Sequence, residues 1–142
     1  MMNPGQVVKR LLQGMVDDRQ RYLMLTDVLA TQRQQLLSRD TAGLAVTNTH
    51  LMAIYRALSE SASQRQDDLK ALGVSPDGEG VEKLITLLPV AHQAKVSALW
   101  QELQTHASSC LQHNDRNGAV LTMQQNILDN MSVASEPDRW LY

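Results

Sequence analysis

No phenylalanine occurs in these 142 residues, and aromatic residues make up only 4% of the chain. Leu, Met, Ala and Gln dominate instead, and these are good helix formers. Sheets favour β-branched and aromatic side chains, so the composition predicts an all-α protein. A single cysteine, Cys110, excludes an internal disulfide framework. No apolar run approaches the roughly 20 residues of a membrane span. The first stretch, "MMNPGQVVKRLLQGMVDDRQ", lacks the apolar region of a secretory leader. Charge of one sign is missing as well. The formal net charge is −2, with Lys/Arg and Asp/Glu interspersed, and no basic patch marks a nucleic-acid footprint. These absences leave a cytosolic protein with no membrane insertion and no nucleic-acid partner. Hydrophobic content of 43% is enough for the core of one domain.

What is present is helical periodicity. From residue 6 to 38 a stripe runs through Val8, Leu11, Met15, Tyr22, Leu25, Leu29 and Leu36, with Asp18 and Gln32 as its polar members. Seven of nine positions are apolar, spaced by alternating threes and fours, the repeat of a coiled-coil seam. At 1.5 Å per residue such a helix is roughly 50 Å long. "SRDTAG" at 38–43 is a short polar connection in which Asp40 or Thr41 can cap a second helix. The second stripe is Leu44, Leu51, Tyr55, Leu58, Ala62, Leu69 and Leu72, interrupted by Asn48 and Arg65. Two long helices joined so briefly form an antiparallel hairpin.

"GVSPDGEG", 73–80, holds three glycines and a proline in eight residues and reads as a loop, with Ser75–Pro76 as a candidate cap and first helical turn. "VEKLITLLP" is a short helix through Val81, Leu84, Ile85 and Leu88. Pro89 ends it, kinks it, or opens the next.

The last long segment spans about 90 to 132. Its stripe is Val96, Trp100, Leu103, Ala107, Cys110, Asn114, Asn117, Leu121, Gln124, Leu128 and Met131. Asn117–Gly118 is a strong turn signal, yet the apolar positions beyond it keep the phase of an unbroken helix. The continuous helix is therefore favoured over a C-cap at Gly118. Asn114 and Asn117 then lie on the seam, opposite polar candidates such as Asp18, Gln32, Asn48 and Arg65, or at a solvated bundle end. Gly118, having no Cβ, permits close approach by a neighbouring helix or a partner. "SVASEPDRWLY" loses the periodicity and contains Pro137. The expected architecture is an antiparallel bundle or coiled-coil hairpin of three long helices plus a short one over 1–132, with an extended C-terminal tail over 133–142.

Reactive constellations are sparse. Asp17–Asp18 and Asp67–Asp68 are adjacent pairs that point to different helix faces, so neither makes an acid–base dyad. His106, Cys110 and His113 share one face at ligand-like spacing, but Cys110 is a seam residue and no fourth ligand is evident. No glycine-rich phosphate loop or nucleophile elbow is present. Neither an enzyme nor a metal or other cofactor is expected.

"NDRNG" in mid-helix resembles the Asn-x-x-Asn-Gly signature of the FlgN-type flagellar export chaperones. "LLSRDTAGL" is similar to the family's first helix–helix turn, and "LKALGVSPD" to the exit from its second helix. "LWQELQTHASSCLQHNDRNGAVL" resembles its last helix and "RWLY" its C-terminal Leu-Tyr. Where many relatives carry a lysine in mid helix two, this chain has "NTHLMAIY". The resemblance implies a cytosolic chaperone that binds the C-terminal helical segments of hook–filament junction proteins and delivers them to the type III export gate. An apolar helix face that accepts a partner's stripe suits that task.

On this reading Asn114, Asn117, Gly118, Leu121, Gln124, Leu128 and Met131 are the substrate-binding candidates, against the alternative that the stripe is ordinary bundle core. Trp140, Leu141 and Tyr142 are candidates for docking on the export gate, against a tail folded back on the bundle. Trp140 and Tyr142 are two of only five aromatics in the chain, and aromatics supply large contact area in docking motifs. The competing functional classes are a chaperone for another secretion system and a self-associating helical scaffold, a homo-oligomer without substrate.

Overall fold

The computed structural model describes residues 2–129, with side chains as far as Val120. Among the described residues there are four helices and no strand. They are α1 (Pro4–Ser38), α2 (Thr41–Ala71), α3 (Gly78–Leu87) and α4 (Val90–Asp129). The all-α bundle of three long helices and a short one is thus the observed fold.

Local chemistry fixes the ends. Asn3 caps α1 through a reciprocal box: its Oδ1 accepts from the Gln6 backbone N–H at 2.9 Å, and Gln6 Oε1 accepts from the Asn3 N–H at 3.0 Å. Pro4 occupies the first helical position, where no N–H is needed. α1 closes with Asp40 N bonded to Gln35 O and Arg39 N to Leu36 O. This is the Schellman pattern, and it places Arg39 in the left-handed region at φ 56°. Asp40 then caps α2, its Oδ1 accepting from the Gly43 N–H at 2.9 Å. α2 ends in a second Schellman motif in which Gly73 takes the positive φ of 77°.

The expected cap at Ser75 moves two residues on. Asp77 Oδ1 accepts from the Gly80 N–H at 3.0 Å and from the Ser75 hydroxyl at 2.7 Å, so α3 starts at Gly78 and the 73–80 loop ends early. A carboxylate is the better cap here because Ser75 is spent on it. The Ser75 hydroxyl and then the Gly80 N–H hold the Asp77 carboxyl below its ordinary range. Gly80 is obligatory, since a Cβ there would lie 1.7 Å from Ser75 O. Leu88 is extended at ψ 157°, as a residue before proline prefers, and Pro89 stands between α3 and α4.

The chain divides into two compact units, and α1, α2 and α4 each contribute to both. In the unit formed by Met1–Tyr22 and Arg56–His106, a core of Leu11, Met15, Leu69, Val81, Leu84, Ile85 and Leu103 joins all four helices. Asp18, 3% exposed on the α1 seam, accepts from Arg21 at 2.8 Å, Ser61 at 2.9 Å and Arg65 at 3.2 Å. Arg65 also lies 5.5 Å over the Trp100 ring, so one cation ties α1, α2 and α4 together. Asp68, 1% exposed, accepts from Arg10 and Gln64, and its hydrogen bond holds the Arg10 guanidinium above its ordinary range.

In the other unit, which includes Leu23–Tyr55 and α4 from Ala107 onward, the buried apolar residues are Leu25, Leu29, Leu36, Leu51, Ile54 and Cys110. α1 and α2 run antiparallel. α4 runs parallel to α1, as Thr26 meets Cys110 and Gln32 meets Asn117.

Candidate docking site on the last helix

α4 passes through Asn-x-x-Asn-Gly without a break, as its apolar phase predicts. Asn114 and Asn117 are 2% and 1% exposed. Their amides face other helices of the same unit. Asn117 Nδ2 donates to Leu29 O and to Gln32 Oε1, both at 2.9 Å. Gln32 Nε2 in turn donates to Asn48 Oδ1 at 3.2 Å. Three amides therefore form a chain from α4 through α1 to α2. Each neutral bond contributes about 0.5–1.5 kcal/mol net, and a buried polar layer excludes packings that would strand it. Gln32 was legible as a partner of Asn117, and Asn48 enters the layer through Gln32. Asp18 and Arg65 instead pair with each other in the first unit.

The partner of Asn114 was not legible. Tyr55 donates its hydroxyl to Asn114 Oδ1 at 3.2 Å, although its stripe position reads as apolar packing. A half-buried tyrosine whose O–H needs an acceptor is the signal that points to it. Burial, and then the neighbouring Cys110, raise the Tyr55 pKa. Burial also pushes the Cys110 thiol up, against a 3.4 Å contact with Thr26 Oγ1 that lowers it.

Gly118 is helical and half-buried, and a Cβ built on it meets nothing within 4 Å among the described residues. The close approach of a helix from the same chain, one of the two expected reasons for the glycine, is therefore not seen among the described residues. Leu111, two turns earlier on the same face, is 53% exposed. Leu121, Gln124 and Leu128 fall on α4 with side chains outside the described residues. Met131, Trp140, Leu141 and Tyr142 lie outside the described residues altogether.

His106 Nε2 pairs with Glu102 Oε1 at 3.3 Å. Among the described residues no group of three or more His, Cys, Asp or Glu is placed to hold a metal ion. No helix among them is long and apolar enough to cross a membrane.

Among the described residues, buried amides tie α4 to α1 and α2, and the space beside Gly118 is open. Residues 1–136 match the family described as FlgN protein, and the chain belongs to that family. It is a family of flagellar export chaperones, not of enzymes. No curated protein and no solved structure gives a match to the chain.

Proposed function

We propose that this protein is a cytosolic flagellar secretion chaperone that binds the C-terminal helical segments of hook–filament junction proteins and delivers them to the type III export gate. The family match over residues 1–136 carries this reading. The physical support is Gly118. A glycine inside a helix costs roughly 0.5–1 kcal/mol relative to alanine, and nothing among the described residues of its own chain occupies the space it leaves. A partner helix that approaches the backbone there accounts for it.

In this account Asn114 and Asn117 act as positioning residues. Their bonds to Tyr55 and Gln32 fix the rotation of α4, and Gly118, Leu121, Gln124, Leu128 and Met131 are the proposed contacts to the substrate segment. Docking is of the helix-in-groove kind and needs no nucleotide or metal chemistry. Trp140, Leu141 and Tyr142 are the contact to the export gate. Co-purification of the full chain with C-terminal segments of hook–filament junction proteins tests the reading. Retention of such a segment is expected, and failure to retain any of them in a sensitive assay overturns it.

A further inference from the structure

In the unit formed by Met1–Tyr22 and Arg56–His106, α1 and α4 leave an open trough of about 450 Å³ between them. Its floor is apolar: Leu12, Val16, Val96 and Leu99. Three of these back onto the core, and Val16 is 36% exposed. Along α4 the lining runs from His92 to Glu102. At 1.5 Å per residue that is about 15 Å, roughly three turns of a helix laid alongside.

The rim is not neutral. It carries Arg19, His92, Lys95 and Glu102. The one acid is already engaged, by Arg19 at 3.6 Å and His106 at 3.3 Å. Lys95 has no ion-pair partner among the described residues. Arg19 and Glu102 offset each other, so the trough has an apolar floor and one uncompensated cation, Lys95, at its edge, in a chain whose net charge is −2. Apolar floors accept the stripe of an amphipathic helix, and complementary rim charge selects among such helices.

We propose that this trough is a docking site for an amphipathic helix of a partner protein whose apolar stripe is flanked by acidic side chains. The proposal rests on the chaperone reading only in taking a protein helix as the ligand, and it involves none of the α4 residues assigned to the substrate segment.

The test uses the ¹⁵N-labelled full chain and two synthetic peptides of roughly 14 residues, enough for three to four turns. Both carry the same leucine stripe, one flanked by Glu and the other by Lys. The Glu-flanked peptide is expected to shift the amides of Leu12, Val16, Val96 and Leu99 and to bind at least about tenfold more tightly. Lys95→Glu, a surface change, should abolish or reverse that preference. Val16→Asp should weaken both peptides while circular dichroism shows the helices intact. Equal binding of the two peptides, shifts confined to other residues, or a peptide-independent dimer that covers the trough would each overturn the proposal. Loss of peptide selectivity with capture of junction-protein segments intact sinks the trough alone. The opposite pattern sinks the chaperone reading alone.

Discussion

Asn117 and Gln32 stand 85 residues apart in sequence and are each 1% exposed, yet they meet through a 2.9 Å hydrogen bond from Nδ2 to Oε1. Two long helices are thereby held at one rotation and one height. Asn117→Ala removes the donor from Gln32 Oε1 and Leu29 O at once. Stranding buried acceptors costs about 1–3 kcal/mol, and each kcal/mol lowers the midpoint by roughly 2–4 °C in a chain of this size. The Asn117→Ala, Gln32→Ala double variant should cost less than the two single changes together, although it leaves Asn48 Oδ1 without its donor. A double-mutant cycle by urea denaturation checks it: coupling of about 1 kcal/mol or more is expected, and simple additivity would contradict the network.

Much of this layer was legible because helical phase survives a turn signal. The stripe kept its spacing through Asn117–Gly118, and α4 is continuous there. Gln32 and Asn48 interrupt their stripes as polar seam residues, and they bond to each other. Other positions were hidden for physical reasons. A stripe read at 3.5 residues per turn drifts against a 3.6-residue helix, so Val7, Thr47, Ile54 and Asp68 are buried without having been marked. The cap at Asp77 was obscured because Ser75–Pro76 also fits a helix start. Rim charge and the trough depend on which helices meet, which spacing alone does not fix.

Arg39 holds a left-handed conformation at φ 56° in a position that helices usually give to glycine. The left-handed region costs a non-glycine residue about 1–2 kcal/mol, partly offset by the greater freedom of an unfolded glycine. Arg39→Gly should therefore raise stability by about 0.5–1 kcal/mol, read as a higher urea midpoint with an unchanged slope. A lower midpoint would show that the arginine makes up for its backbone elsewhere.

Two glycines should respond to alanine with opposite signs. At Gly80 the new Cβ would fall 1.7 Å from Ser75 O, so Gly80→Ala must displace the α2–α3 turn and should cost more than about 2 kcal/mol. At Gly118 the space is open among the described residues, and Gly118→Ala should add roughly 0.5–1 kcal/mol of helix stability. Thermal unfolding of the pair checks both signs together.

Alkaline pH should weaken the unit that contains Tyr55 and Cys110. Burial raises both groups above their ordinary values of 10.0 and 9.0. The unfolded chain then gives up these protons first. Their contribution is present in full below about pH 9 and is lost as pH rises through the ordinary values toward the folded ones. Tyr55→Phe and Cys110→Ala should be less stable at neutral pH but decline less between neutral pH and about pH 10.5. Urea midpoints across that range decide, and slopes equal to the parent chain would contradict the assignment.

In the proposed function a partner helix from a hook–filament junction protein approaches α4 at Gly118. Isothermal titration of the full chain and its Gly118→Leu variant with the C-terminal segment of such a protein tests it most directly. The parent chain is expected to bind. The variant should lose at least about tenfold in affinity while its helicity and unfolding midpoint equal or exceed the parent's. No binding by the parent chain, or equal binding by the variant, would contradict the claim.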